Sequence, residues 1–391
     1  MSRRTRVGIV FGGRSVEHEV SLISARSVMA AIDPERFEAV PIGVTKEGRW
    51  LIGGDPMREL TRAAEATRGR AAAVRGESPS DDPPVGIRPM LPGLSEGGRQ
   101  PARAGSAPDS EPLDVIFPLV HGISGEDGTL QGLLEMADLP YVGAGVLGSS
   151  VGMDKDVSRR LFVHQGLPAV ETICLRRSEW EGADRPAIAR RVHEVVGWPC
   201  FVKPAGSGSS VGVSKVRTES ELAAALDLAF QYDLKALVER AVNAREIEVA
   251  VLGNVEPVAS VPGEIVPAHE FYDYESKYLT ESKLLVPAPL EPAQAAEARR
   301  LAIEAFRVLD LAGMARVDLF LDRETGRFYL NEINTLPGFT PVSMYPRLWE
   351  ATGLPYRELI TRLIALALER RAERRALRTS YTPGVPESDP S

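Results

Sequence analysis

Arg316-Val-Asp318-Leu-Phe-Leu-Asp-Arg-Glu-Thr-Gly-Arg-Phe-Tyr-Leu-Asn-Glu332-Ile-Asn334 reads as two strands joined by the turn Arg323-Glu-Thr-Gly326. Side chains alternate across a strand, so Arg316 and Asp318 share one face, as do Glu332 and Asn334, and the turn brings the strands side by side. An arginine, two carboxylates and an amide then converge. Oxygen ligands of this kind suit magnesium, a hard cation that takes carboxylates together with nucleotide phosphates. Taken alone, the stretch also reads as a solvated strand face, so the rest of the chain has to decide.

The chain has 391 residues, 43% hydrophobic and 26% charged, enough for two or three domains each with its own core. A net charge of −8 argues against a nucleic-acid surface, because phosphate backbones demand a basic face. Cys174 and Cys200 are too few for a disulfide framework and lack metal-site spacing. They fit a reducing cytoplasm and read as buried small hydrophobes. No apolar run approaches a membrane span, and Met1-Ser-Arg-Arg4 leads straight into a strand rather than a signal-peptide core. The expectation is a cytoplasmic protein without nucleic-acid or membrane partners.

Arg6 to Phe11 is a short apolar strand, Gly12 to Ser15 a turn, Glu19 to Ile32 a helix and Ala39 to Val44 a second strand, the opening of a doubly wound parallel sheet. Between about 54 and 112 the composition shifts to Pro, Gly, Ala, Arg and Ser, which predicts an exposed insertion with at most a short strand near Ile87 to Leu91. Leu113 to Phe117 resumes the sheet and Glu126 to Ala137 opens a helix. The predicted organisation is an N-terminal α/β domain over 1–148, a central α+β domain over 149–242, a C-terminal α+β domain over 243–378 and a disordered tail over 379–391. Helical stripes at Ala293 to Leu309 and Tyr356 to Ala376 are core faces of the last domain.

Phe201-Val-Lys203-Pro-Ala-Gly206-Ser-Gly208-Ser209-Ser210-Val-Gly212-Val-Ser-Lys215-Val reads strand, glycine-rich loop, strand. Glycines and serines let backbone N–H groups point at an anion, and Lys203 adds a point charge, so a phosphate fits; a plain glycine-rich hairpin is the alternative. No Gly-Lys-Ser/Thr closes the loop and a strand follows it, which excludes a Walker A motif. The turn after the first strand, Gly-Gly-Arg-Ser, likewise lacks the spaced glycines of a dinucleotide fold.

With these segments in order, the chain resembles the ATP-grasp ligases and, within them, the D-alanine:D-alanine ligase family. The resemblance runs from the first strand to about Ala376. Five motifs carry it: Phe11-Gly-Gly-Arg-Ser-Val-Glu17-His-Glu-Val-Ser21, His121-Gly-Ile-Ser-Gly-Glu-Asp-Gly128, the Lys203 loop, Phe271-Tyr-Asp-Tyr-Glu-Ser-Lys277-Tyr278 and Asn331-Glu-Ile-Asn334-Thr-Leu-Pro-Gly338. The resemblance implies an ATP-grasp fold that clamps ATP between antiparallel sheets, with two D-alanines joined through an acyl phosphate for peptidoglycan synthesis. It further implies two Mg²⁺ or Mn²⁺ ions on Asp318, Glu332 and Asn334, and phosphate contacts from Lys155, Lys203 and Lys277 with the loop residues Gly208, Ser209 and Ser210. Glu239 and Val242 would form the adenine hinge and Glu246 would take the ribose hydroxyls. Glu17 and His121 would contact the first D-alanine, Arg316 and the Gly338 N–H would receive the oxyanion, and Ser343 and Met344 would meet the second substrate. Tyr278 and Ser209 would complete a hydrogen-bonded network with Glu17, and a homodimer is implied.

A different ATP-grasp ligase or carboxylase would share the nucleotide residues but would not need Glu17, Tyr278 and Ser343. A nucleotide-binding regulator would not need Arg316, Asp318, Glu332 and Asn334 together.

Overall fold

The computed structural model describes residues 3–72, 112–182, 184–208, 210–267 and 283–378, which form three sheets. In the first, β1 (Thr5–Gly12) lies between β2 (Phe37–Val44) and β4 (Val115–Pro118) and is parallel to both, while the short β3 (Trp50–Ile52) adds an antiparallel edge to β2. Strand β1 is buried from Arg6 to Gly12, as a parallel strand covered on both faces must be. Helix His18–Ala31 turns Leu22, Ala25 and Val28 onto the same core. Helix Pro56–Ala72 corrects the expectation of an exposed insertion from residue 54, because Leu60 and Ala64 are buried in that core. Residues 73–111, with the expected strand near Ile87, and the tail 379–391 lie outside the described residues.

The second sheet is antiparallel, in the order β5 (Thr172–Arg176), β8 (Lys235–Arg240), β6 (Cys200–Pro204), β7 (Ser214–Val216). Helices Arg185–Val195 and Leu222–Ala229 cover it, packing Val192, Leu226 and Ala229 on Val202 and Val238. Cys200 is buried as expected, but Cys174 is partly exposed.

The third sheet is also antiparallel. Its path is β12 (Lys283–Leu285), β11 (Gly263–Val266), β9 (Ala244–Gly253), β13 (Gly313–Asp322), β14 (Phe328–Asn334), with β10 (Val258–Ala259) added to β9. Helix Pro292–Val308 backs it through Ala298, Leu301 and Ala305.

Two helices join the sheets. Tyr356–Arg375 places Leu359, Ile360 and Leu363 in one core with Val7 and Phe117 of the first sheet, and Arg370 Nη2 donates to the Tyr141 carbonyl at 3.0 Å. Helix Val146–Met153 crosses the expected boundary at 148, so that boundary falls within an element. A Cβ on Gly148 would lie 2.7 Å from Leu311, and one on Gly152 would lie 2.8 Å from Thr335, so this helix approaches the C-terminal residues more closely than a side chain at either position permits. Among the described residues no helix is long and apolar enough to cross a membrane.

Candidate active site

The β13–β14 ladder pairs Arg316 with Asn334 and Asp318 with Glu332, and β9 sets Glu248 opposite Asp318 from the other side. A bulge between Asp318 and Leu319 interrupts the register, a device that re-aims side chains at functional edges. Arg316 donates from Nε to Asp318 Oδ1 and from Nη2 to Oδ2, both at 2.7 Å, and Asn334 Nδ2 donates to Asp318 Oδ2 at 3.0 Å. Arg316 Nε is also 3.1 Å from Glu248 Oε2. Burial disfavours the guanidinium, yet Asp318 and Glu248 together hold its pKa well above the ordinary arginine value.

Glu248 is a site residue that sequence reading missed, since it sits in a β-branched run that reads as core. Among the described residues no group of three or more His, Cys, Asp or Glu is gathered to hold a metal by itself. Two carboxylates and an amide do fit a magnesium or manganese ion whose remaining ligands are phosphate oxygens and water.

Two lysines face this hairpin. Lys155 opens helix Lys155–His164, which Asp154 caps by accepting from the Asp156 and Val157 N–H groups. Its Nζ is 3.1 Å from Glu332 Oε2 and donates to the Ser207 carbonyl at 2.7 Å. Lys203, on β6, has Nζ 2.7 Å from Glu239 Oε2 on β8 and donates to Asn331 Oδ1 at 3.3 Å. Lys155, Lys203, Glu239 and Glu332 therefore bridge the second and third sheets in one network.

Gly208 and Ser210 lie in the β6–β7 loop, with Ser210 at a φ of 56°. Val242 lies in the β8–β9 link, and Glu246 sits on β9 opposite Ile265 and Phe320. Ser209, Lys277 and Tyr278 lie outside the described residues.

A cavity of about 500 Å³ opens beside Glu17 and is lined in part by Ser15, Gly122, Ile123, Ser207 and Gly208. A Cβ on Gly122 would come within 3.0 Å of Glu17 Oε2, and one on Gly208 within 3.6 Å, so the first-helix entry, the His121 loop and the glycine loop meet at one carboxylate. His121 is buried; its Nδ1–H donates to the Leu336 carbonyl at 3.0 Å and its Nε2 pairs with Ser24 Oγ at 3.1 Å. Burial opposes its cation, but the Glu126 carboxylate, 3.6 Å away, and Glu17 raise the histidine above its ordinary pKa. Burial and the Glu17 charge also raise Glu126, against the lowering pull of its contact with His121.

Ser343 precedes helix Met344–Ala351; its Oγ accepts from the Thr340 N–H at 3.1 Å, and a Cβ on Gly338 would lie 3.1 Å from that oxygen. The Met344 side chain packs in the apolar core with Phe339 and Tyr345, so any contact with substrate falls to its backbone.

The profile described as D-ala D-ala ligase N-terminus matches residues 6–144, and that described as D-ala D-ala ligase C-terminus matches residues 161–365. The chain is 47% identical over 381 residues to a D-alanine–D-alanine ligase of Heliobacterium modesticaldum, covering 96% of this chain and 98% of that one. It is 51% identical over 378 residues to a D-alanine–D-alanine ligase A of Chromobacterium violaceum, covering 94% and 96%. The fold is similar to that of the D-alanine–D-alanine ligase from Coxiella burnetii (TM-score 0.77, 33% identity, 96% and 97% covered). It is also similar to that of the VanG D-Ala:D-Ser ligase from Enterococcus faecalis (TM-score 0.76, 31% identity, 93% and 100% covered).

Proposed function

The chain belongs to the D-alanine–D-alanine ligase family, and from that premise we propose that it joins two D-alanines at the expense of ATP, releasing ADP and phosphate, to supply a peptidoglycan precursor. One observation carries the assignment of chemistry to residues. Two lysines and the Asp318, Glu332 and Asn334 set lie together between two antiparallel sheets, so cations for phosphate and oxygens for a metal share one cleft.

In this reading the carboxylate of the first D-alanine attacks the γ-phosphorus and ADP leaves. The amine of the second then attacks the acyl phosphate, and phosphate departs with the former carboxylate oxygen. Positioning and charge stabilisation dominate such a reaction. Lys155, Lys203 and Lys277, with the N–H groups of Gly208, Ser209 and Ser210, hold the phosphates. Glu239 and Val242 border the adenine and Glu246 the ribose. Asp318, Glu332 and Asn334 would hold two Mg²⁺ or Mn²⁺ ions, which supply neutralisation of the triphosphate when bound.

Glu17 pairs with the ammonium of the first D-alanine, since a buried charge must be paired, and His121 supports that end. Arg316 and the Gly338 N–H receive the oxyanion of the tetrahedral intermediate. Ser343 binds the second carboxylate beside the Met344 backbone, and Tyr278 and Ser209 orient the attacking amine with Glu17. The enzyme works in the cytoplasm as a homodimer, with D-alanine and ATP as its partners.

Phosphate release from ATP and Mg²⁺, measured over D- and L-alanine, D-serine and D-lactate, tests the assignment. Release that depends on D-alanine alone, with a D-Ala-D-Ala product, is expected. A preference for D-serine as second substrate would move the protein toward the D-Ala:D-Ser ligases, and release with none of these would refute the ligase reading.

A further inference from the structure

Arg159 lies one helical turn after Lys155 and is buried where three elements meet. Its Nη1 donates to Glu239 Oε1 on β8 and to Thr172 Oγ1 on β5, the latter at 2.7 Å, and its Nη2 donates to the Asn331 carbonyl on β14 at 3.2 Å. Lys203 takes the complementary atoms of the same two residues, Glu239 Oε2 at 2.7 Å and Asn331 Oδ1 at 3.3 Å. Two cations thus divide one carboxylate and one asparagine between them. We propose that Arg159 is a positioning residue for ATP binding: by holding one oxygen of Glu239, it limits the grip of that carboxylate on Lys203 and leaves the ammonium able to turn to phosphate. This rests on the reading of Lys203 as a phosphate contact.

The electrostatics agree with the geometry. Burial disfavours the Glu239 anion, yet Arg159 and Lys203 together hold its pKa below the ordinary value. Lys203 is shifted down, first by burial and then by the nearby Arg159 and Lys155 cations, against the pull of Glu239 and Glu332. One carboxylate shared by two cations leaves Lys203 under-compensated, and a nucleotide phosphate would complete it. Without Arg159 the whole charge of buried Glu239 would fall on Lys203, and an ion pair in such surroundings releases its partner slowly.

Steady-state kinetics on the full chain test this, with Tm recorded for every variant. Wild-type dipeptide synthesis comes first, because its absence would refute the ligase reading rather than the role of Arg159. With synthesis present, Arg159→Met is expected to raise KM for ATP about tenfold or more, the scale of a lost charge-assisted contact, while KM for the first D-alanine stays within about twofold. Arg159→Lys, which keeps the charge but cannot reach all three partners, should fall between the two, and it carries the test if Arg159→Met does not fold. The double variant Arg159→Met/Glu239→Gln should bind ATP no worse than Glu239→Gln alone, because without the carboxylate there is nothing to restrain Lys203. An unchanged KM for ATP in folded Arg159→Met and Arg159→Lys would overturn the proposal. So would independent, multiplying effects in the double variant, or an equal rise in both KM values with a lowered Tm, which mark a purely structural role.

Discussion

Arg316 and Asp318 form a two-pronged ion pair along one face of β13, with both N···O distances at 2.7 Å. A metal ion held by Asp318, as proposed, would compete with Arg316 for the same oxygens. Glu248, 3.1 Å from the guanidinium, would keep it in the site if it turned from Asp318 to a substrate oxyanion. In the proposed reading, loading the metal and arming the oxyanion site would therefore be coupled through one carboxylate.

That coupling predicts a split in Arg316→Lys. A lysine keeps the charge without the planar fork, so it competes less for Asp318 and stabilises the oxyanion less well. Magnesium-dependent ADP binding should be as tight as in wild type or tighter, while turnover falls roughly a hundredfold. Weakened ADP binding together with near-normal turnover would contradict the coupling.

Glu332→Gln replaces a proposed metal-binding carboxylate by a neutral amide of equal shape. Turnover should fall roughly a hundredfold, with the circular dichroism spectrum retained. Near-normal ligation by this variant across a magnesium titration would show that the metal site lies elsewhere.

Gly122 stands at a φ of 74°, with room for a Cβ only 3.0 Å from both Glu17 Oε2 and Ser15 Oγ. Gly122→Ala therefore strains the backbone, costing about 1–3 kcal/mol, and displaces the Glu17 carboxylate. KM for the first D-alanine should rise by more than KM for ATP. Equal changes in the two would detach Glu17 from the amino-acid site.

Glu239 supplies a pH signature. Its folded-state pKa lies below the ordinary 4.5, so its stabilising contribution is present above about pH 4.5 and is lost as pH falls through the folded-state value. The Tm gap between wild type and Glu239→Gln should be widest above pH 5 and narrow below 4.5. A gap independent of pH would show that the carboxylate is not held ionised by Arg159 and Lys203.

The hairpin that carries the proposed metal residues was legible because alternation along Arg316 to Asn334 places like side chains on one face, and the ladder has that register. The first strand was legible as the short apolar run Arg6 to Phe11, and β1 carries it. Other features left weaker traces. Pro56–Ala72 was read as part of an exposed insertion because its few apolar residues sit among arginines and alanines, and only Leu60 and Ala64 mark its buried side. The 148/149 boundary cut a helix whose Gly148, Ser149, Ser150 and Gly152 offer no apolar stripe. Arg159 resembled any exposed arginine beside Arg160, and Glu248 gained a role only through Arg316, a long-range partner that local pattern cannot show. Side-chain assignments within the cleft rest on family motifs, because contacts between sheets depend on tertiary placement.

The most direct test of the ligase mechanism is to follow oxygen. D-Alanine labelled with ¹⁸O in its carboxylate, incubated with ATP and Mg²⁺, should give D-Ala-D-Ala and ADP in equal amounts. The released phosphate should carry one ¹⁸O from each peptide bond formed, because the acyl phosphate loses its bridging oxygen to phosphate. Unlabelled phosphate, or AMP and pyrophosphate in place of ADP and phosphate, would contradict the account.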